Sequence, residues 1–170
     1  NPLNSCISSA EAAGDCAIHN DSPVDVLVAG LNVVDVLVRM PEAVRRGEKH
    51  EINNLAVQGG APAGNAACVI SSLGWRTGFL GYFGDNTLIT ISRAEFVRHG
   101  VTERFFLHEA SACPAVAIVE IDPSSGERTV FYSIASYHHL TKADIPSKAV
   151  RNARLILVDG YETEAALRMR

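Results

Sequence analysis

An α/β fold is predicted by three observations. Short β-branched runs alternate with helix-period stretches along most of the chain, a glycine-rich segment (QGGAPAGN, 58–65) leads straight into a helical run, and the last strand (ARLILVDG, 153–160) is followed by the opening of a helix, as in a crossover unit. Residues 1–22 are rich in Ser, Asn, Asp, Ala and Gly without a sustained period and read as a flexible tail, which leaves 23–170 as the ordered body. That body opens with VDVLVAG (24–30) and VVDVLV (33–38), apolar runs interrupted by Asp25 and Asp35 that read as buried strand. PEAVRRGEKH (41–50) mixes charges around a glycine and reads as a solvated turn, and EINNLAVQ (51–58) reads as a less buried strand suited to a small outlying sheet. Residues 62–73 read as a helix, with Pro62 in the first turn, where its missing N–H costs nothing, and Val69, Ile70 and Leu73 on one face. RTGFLGYFG (76–84) returns as a strand and LITISRAEFVRHG (88–100) as an amphipathic helix closed by Gly100. AVAIVEI (115–121) and ERTVFYSI (127–134) flank the turn residues DPSSGE and form a hairpin, so antiparallel pieces join the α/β sheet.

Composition narrows the partners. The chain has 170 residues, 47% hydrophobic and 20% charged, enough for one packed core of domain size. A net charge of -4, with no basic run longer than Arg45-Arg46, excludes a field that would draw a polyanion, so neither nucleic acid nor an anionic membrane is expected. No apolar run approaches the roughly 20 residues of a membrane span, and the polar start lacks the parts of a signal peptide; a cytoplasmic location is expected. Cys6, Cys16, Cys68 and Cys113 form no C-x-x-C pair and have no His at zinc-finger spacing, so no metal site is expected. Cys68 and Cys113 sit in apolar stretches and read as small hydrophobes.

The chemistry concentrates around 58–65. Glycines just before a helix let backbone N–H groups approach a ligand closely, and the helix N-terminus offers unpaired donors to oxygens. GGAPAG matches neither the dinucleotide fingerprint nor the phosphate loop, because Asn65 stands where the loop's lysine would be. An amide that both donates and accepts suits a neutral ligand with vicinal hydroxyls, and Asp35, on the second apolar run, suits a polyol that donates hydroxyl hydrogen bonds to a carboxylate. The competing reading is that Gly59, Gly60 and Gly64 permit close strand–helix packing while Asn65 caps a helix. ETEA (162–165) reads as helix surface, and His138 and His139 read as loop surface.

Four separated elements, in order, carry a resemblance: VAGLNVVDVLV with Gly30, Asn32 and Asp35; QGGAPAGNAACVISSLG; GYFGDN with Gly84, Asp85 and Asn86; and the hairpin AVAIVEIDPSSGERTVFY. Over residues 24–169 the chain resembles the ribokinase-like, pfkB-type carbohydrate kinase family. The resemblance implies a ribokinase-like three-layer sandwich with a small β lid, of which this chain is the N-terminal part. It also implies ATP-dependent phosphoryl transfer to a sugar hydroxyl, with ATP and Mg²⁺ as cofactors and Asp35, Asn32, Gly59, Gly60 and Asn65 as sugar-binding residues. The catalytic base, the anion hole and the nucleotide contacts are expected beyond Arg170, so the segment alone is expected to be inactive. Alternatives are a nucleoside kinase, or a non-catalytic sugar-binding or dimerising module. The lid strands (51–58 and 115–134) are candidates for pairing with a second copy through their edges. Three departures stand out. GGAPAGN has one residue more than the usual form, so Gly59-Gly60 or Gly60-Ala61 takes the paired-glycine position; Ile89 stands where the family has a glycine; and Gly47-Glu48 fits either a lid strand or a solvated turn.

Overall fold

The strand signal that opens the ordered body divides between two sheets. The computed structural model describes residues 23–170, so the tail expected over 1–22, with Cys6 and Cys16, lies outside the described residues. In chain order the elements are β1 (Val26–Ala29), β2 (Val33–Arg39), β3 (Leu55–Gly60), α1 (Pro62–Ser72), β4 (Thr77–Phe83), α2 (Thr87–Arg98), β5 (Phe106–His108), β6 (Ala115–Ile121), β7 (Arg128–Ser133), α3 (Ser147–Asn152), β8 (Leu155–Val158) and α4 (Thr163–Met169). One sheet has the order β5-β4-β1-β8 and is parallel throughout; the second, the lid, has the order β3-β2-β6-β7. In the lid, β2 pairs antiparallel with β3 and parallel with β6, and β6 pairs antiparallel with β7.

A parallel sheet covered on both faces needs strands that are apolar on both sides, and β1 is fully buried along its length. Val26 and Val28 face a cluster with Ala63, Ala67, Phe79, Phe83 and Phe96, formed by α1 and α2. Leu27 and Ala29 face the opposite cluster with Leu80, Ala165 and Met169, where α3 and α4 lie. The three layers expected for the fold are therefore present. Phe79 stacks on Phe96 at 4.5 Å between centroids and is fully buried, a burial that contributes about 1.5–3 kcal/mol.

Several local readings change. α1 buries only part of its branched face: Val69 and Leu73 are 58% and 72% exposed and Ile70 packs partly buried against the core, while Ala63, Gly64 and Ala67 are buried. The reason is close approach, since a Cβ on Gly30 of the neighbouring strand end would overlap the Cβ of Ala63. β3 begins at Leu55 and runs through both adjacent glycines, which are therefore strand rather than loop. Residues 41–50 form no strand and are mostly exposed, with Gly47 at a φ of 85°, so the solvated-turn reading of Gly47-Glu48 holds. The hairpin turn is built on Asp122, whose Oδ1 accepts from the N–H of Ser124 (2.8 Å) and Ser125 (2.7 Å). Cys68 and Cys113 are free thiols, both partly buried, and burial pushes the Cys68 thiol up to about 11, which keeps it protonated and unreactive.

Asp25, which interrupts the first apolar run, is a structural anchor at the start of β1. It accepts from Arg76 Nε and Nη2, each at 2.9 Å, and the Arg76 guanidinium lowers its carboxyl from 3.8 to about 2. A depressed carboxyl contributes stability that is complete above its unfolded value and is lost as pH falls toward the folded one. Asp25→Asn should therefore flatten the fall of the thermal midpoint between pH 3.8 and about 2 relative to the parent protein; parallel curves in a pH-resolved melting series would remove Asp25 from the acid response.

Candidate functional site

The short link Leu31-Asn32 carries the chain from β1 into the lid and sets where Asp35 lies. Strand alternation then assigns faces. In register, Asp35 stands opposite Gln58 of β3 and Ala117 of β6, and Ala117 opposite Tyr132 of β7, so these residues share the lid's inner face. A cavity of about 390 Å³ opens there, lined by Asp35, Asn65, Arg128, Tyr132 and Tyr161 among its polar groups. Its apolar wall is of small and branched residues, Val33, Ala115, Ala117 and Val119.

Asp35 is partly buried, and its carboxylate has no hydrogen-bond or ion-pair partner among the described residues. Burial raises its pKa, while the charge of Arg128 acts in the opposite direction. Such a carboxylate has unused acceptor capacity at the edge of a cavity of monosaccharide scale. Gly60 is what leaves it room, because a Cβ at that position would overlap Asp35 Oδ2. Asn65 lies in the first turn of α1, exposed, and it does not cap the helix: α1 has no side-chain cap. Its amide remains available to the cavity, and Asn65 is not the cap that its place before the helical run suggested.

Gly59 and Asn32 lie away from Asp35, in a second cleft that Gly60 and Asn65 also line. Gly59 faces the opposite side of β3, where a Cβ would meet Ser92 and Glu95 of α2 at 3.0–3.2 Å, so its small size serves packing. Asn32 is 1% exposed and lines, with Gly59, a second cleft of about 350 Å³ between α1, α2 and β3. Its side-chain amide has no partner among the described residues, while its carbonyl accepts from Ala115 N at 2.9 Å and joins β6 to the link. We place the candidate site in the first cavity rather than the second because the unpaired Asp35 carboxylate lies only there.

The turn of the glycine segment falls on Gly60-Ala61. Ala61, at φ 80° and ψ 155°, is the only residue other than glycine with a positive φ among those described. An alanine in this region carries strain of about 1–3 kcal/mol. Elsewhere, Gly84, Asp85 and Asn86 form the entrance to α2: Asn86 accepts from Ile89 N at 3.0 Å and donates to Ala112 O at 2.7 Å, and Ile89 is buried in the core.

Glu162 was not legible in the sequence as anything but helix surface, and the structure corrects this. It is 1% exposed, accepts from Leu140 N at 3.0 Å and lies 3.4 Å from His139 Nδ1. Burial pushes its carboxyl up. Only the tertiary return of residues 137–140 over the end of β8 covers it, and no spacing signals that return. Among the described residues no group of three His, Cys, Asp or Glu side chains converges on a metal position, and the glycine segment holds no lysine.

A family model described as pfkB family carbohydrate kinase matches residues 25–168. The chain is 36% identical over 99 residues to fructokinase-2 of Oryza sativa subsp. japonica, covering 57% of this chain and 29% of that protein. It is 23% identical over 145 residues to 5-dehydro-2-deoxygluconokinase of Photobacterium profundum, covering 85% and 43%. Arabidopsis thaliana ribokinase, solved with ribose and ATP, shares the fold with a TM-score of 0.64 at 19% identity over 81% of this chain and 45% of that one. The chain thus spans less than half the length of these proteins.

Relief of the backbone strain makes a direct check on the turn. Ala61→Gly should stabilise the protein by about 1 kcal/mol, read as a higher urea midpoint. A lower midpoint would mean that the turn does not strain Ala61.

Proposed function

The chain belongs to the pfkB family of carbohydrate kinases, and on that premise we propose that the complete protein transfers the γ-phosphoryl group of ATP to a hydroxyl of a sugar, with this segment holding the sugar. The observation that carries this reading is the partly buried Asp35 carboxylate, free of protein partners among the described residues, beside Asn65 and at the turn Gly60-Ala61. Asp35 accepts hydrogen bonds from sugar hydroxyls, Asn65 donates to one oxygen and accepts from another, and the absent Cβ of Gly60 lets Asp35 keep its position.

In the transfer, the sugar hydroxyl oxygen forms a bond to the γ-phosphorus, the bond from that phosphorus to the bridging oxygen breaks, ADP leaves, and the hydroxyl proton passes to a base. Mg²⁺ supplies charge neutralisation on the phosphates when bound. The base, the metal and the nucleotide contacts belong to the part of the protein that corresponds to the relatives' remaining length. Within this chain the contribution is positioning, which by itself can lower a barrier by several kcal/mol. The relatives named as fructokinase and ribokinase support a sugar acceptor, and a cytoplasmic setting, where ATP is plentiful, suits the reaction.

The test is phosphorylation by the full-length protein with Mg-ATP across sugars and nucleosides. Asp35→Ala should lower kcat/KM for the best acceptor by about 100-fold or more, as expected for losing charge-assisted hydrogen bonds, with the melting midpoint little changed; unchanged kinetics would remove Asp35 from the site. Asn65→Leu should cost about 10-fold. Turnover of nucleosides alone would replace the sugar by a nucleoside, and sugar binding without turnover would leave a binding module.

Self-association through the lid is a second element of the proposal. Val57, Ile118 and Phe131 lie in one register row on the lid's outer face and are 43%, 47% and 56% exposed, next to the unpaired edges of β3 and β7. Sedimentation of the full-length protein should give a dimer that Phe131→Lys dissociates; a monomer at high concentration would end this reading.

A further inference from the structure

β7 is the outer strand of the lid: it pairs with β6 alone and is exposed along its whole length, yet its Val130 and Tyr132 form one wall of the cavity that Asp35 lines. Besides β6, what holds that wall in place is the segment that follows, 134–140, by which the chain leaves the lid. Three of its residues meet one carboxylate. Leu140 N donates to Glu162 Oε2 at 3.0 Å, His139 Nδ1 lies 3.4 Å from Oε1, and the Tyr137 hydroxyl interacts with the same group. Glu162 is buried at the start of α4, next to Tyr161, which lines the cavity from the side of the parallel sheet. The chain's entry into the lid is held from the same turn, where Asp159 Oδ2 accepts from Leu31 N at 2.8 Å.

We propose that Glu162 is a positioning residue for the acceptor site: by tethering the exit segment to the parallel sheet it sets the place of Val130 and Tyr132 over the cavity, and so the affinity for the sugar. The inference rests on the sugar-kinase reading and adds to it a residue outside the cavity's lining. A buried carboxylate is costly, and the neighbouring core cluster, with Leu140 and Ala165, would accept an apolar side chain there at less cost. Such a side chain would leave the buried Leu140 N–H without an acceptor. The carboxylate answers that donor with one oxygen and faces His139 with the other, so a single group fixes the exit segment at several points. A sugar that fills the cavity contacts the lid itself, and the tether therefore bears on how readily the sugar binds rather than on the chemical step.

The experiment uses the full-length protein with Mg-ATP and, as acceptors, D-fructose and D-ribose. Glu162→Met fills the same space but cannot accept the Leu140 N–H. It should raise KM for the better acceptor by about 10- to 100-fold, as expected for a lost hydrogen bond to a charged group, with kcat and KM for ATP nearly unchanged. Glu162→Gln, whose amide oxygen still accepts, should recover most of that affinity. Equal losses in both variants, a sugar KM that stays in place in Glu162→Met, or a rise in KM for ATP as large as that for the sugar would each overturn the assignment. In the parent protein, hydrogen exchange across 134–141 should slow when the acceptor binds without ATP, while exchange across α2 stays the same; unaltered exchange over 134–141 overturns the proposal even where Glu162→Met fails to fold. A parent protein that neither binds nor turns over either sugar sinks the sugar-kinase reading and this inference with it, whereas sugar turnover that Glu162→Met leaves untouched removes the inference alone.

Discussion

The arrangement depends on a lack of space at Gly30. A side chain there would overlap Ala63 of α1 on one side and the carboxylate of Asp159 on the other. Because no side chain intervenes, Asp159 can turn back across the sheet end: its Oδ2 accepts from Leu31 N at 2.8 Å and its Oδ1 from Tyr161 N at 3.0 Å. That carboxylate joins the C-terminal ends of β1 and β8 and fixes the link into the lid. The Tyr137 hydroxyl donates to Gly30 O at 3.3 Å and holds the segment returning from the lid against the same point.

From this crossing the rest of the site follows by alternation. Once Val33 enters the lid, Asp35 falls two residues on, on the same face, and α1 starts where β3 ends. The adjacent glycines of β3 then do different work because successive residues point to opposite faces. Gly59 admits α2 against the back of the lid, and Gly60 clears the front for Asp35. Of the two adjacent glycines, Gly59 thus serves packing and Gly60 leaves room beside the Asp35 carboxylate.

The electrostatics of the two faces also differ. At the base of the sheet, Asp25 is paired with Arg76 and held well ionised, as a group tied into structure. At the lid, Asp35 is desolvated and unpaired, and its pKa moves upward. Buried carboxylates without protein partners cost stability, and a place where such a cost persists next to a cavity is where a ligand's donors are expected. Glu162 is the intermediate case, buried but answered by Leu140 N and His139.

The sequence by itself determined the α/β class, the order of most elements and the segments that carry Asp35, Gly60 and Asn65, because those rest on local periodicity, turn chemistry and short spacings. It could not assign the first two apolar runs to different sheets, since both have the same composition and only pairing distinguishes them. Of the α1 face it pointed to, only Ile70 packs against the core, because hydrophobicity favours Val69 and Leu73 whereas the helix must come close enough for Ala63 to touch Gly30. It gave no sign of β5 or α3, which are short. Which residues share a cavity was decided by tertiary structure alone: Asn32 lines a cleft that Asp35 does not reach, and Arg128, far along the chain, lines the same cavity as Asp35. The physical reason is that register across four strands fixes faces and neighbours over long sequence separations, and local sequence holds no record of register.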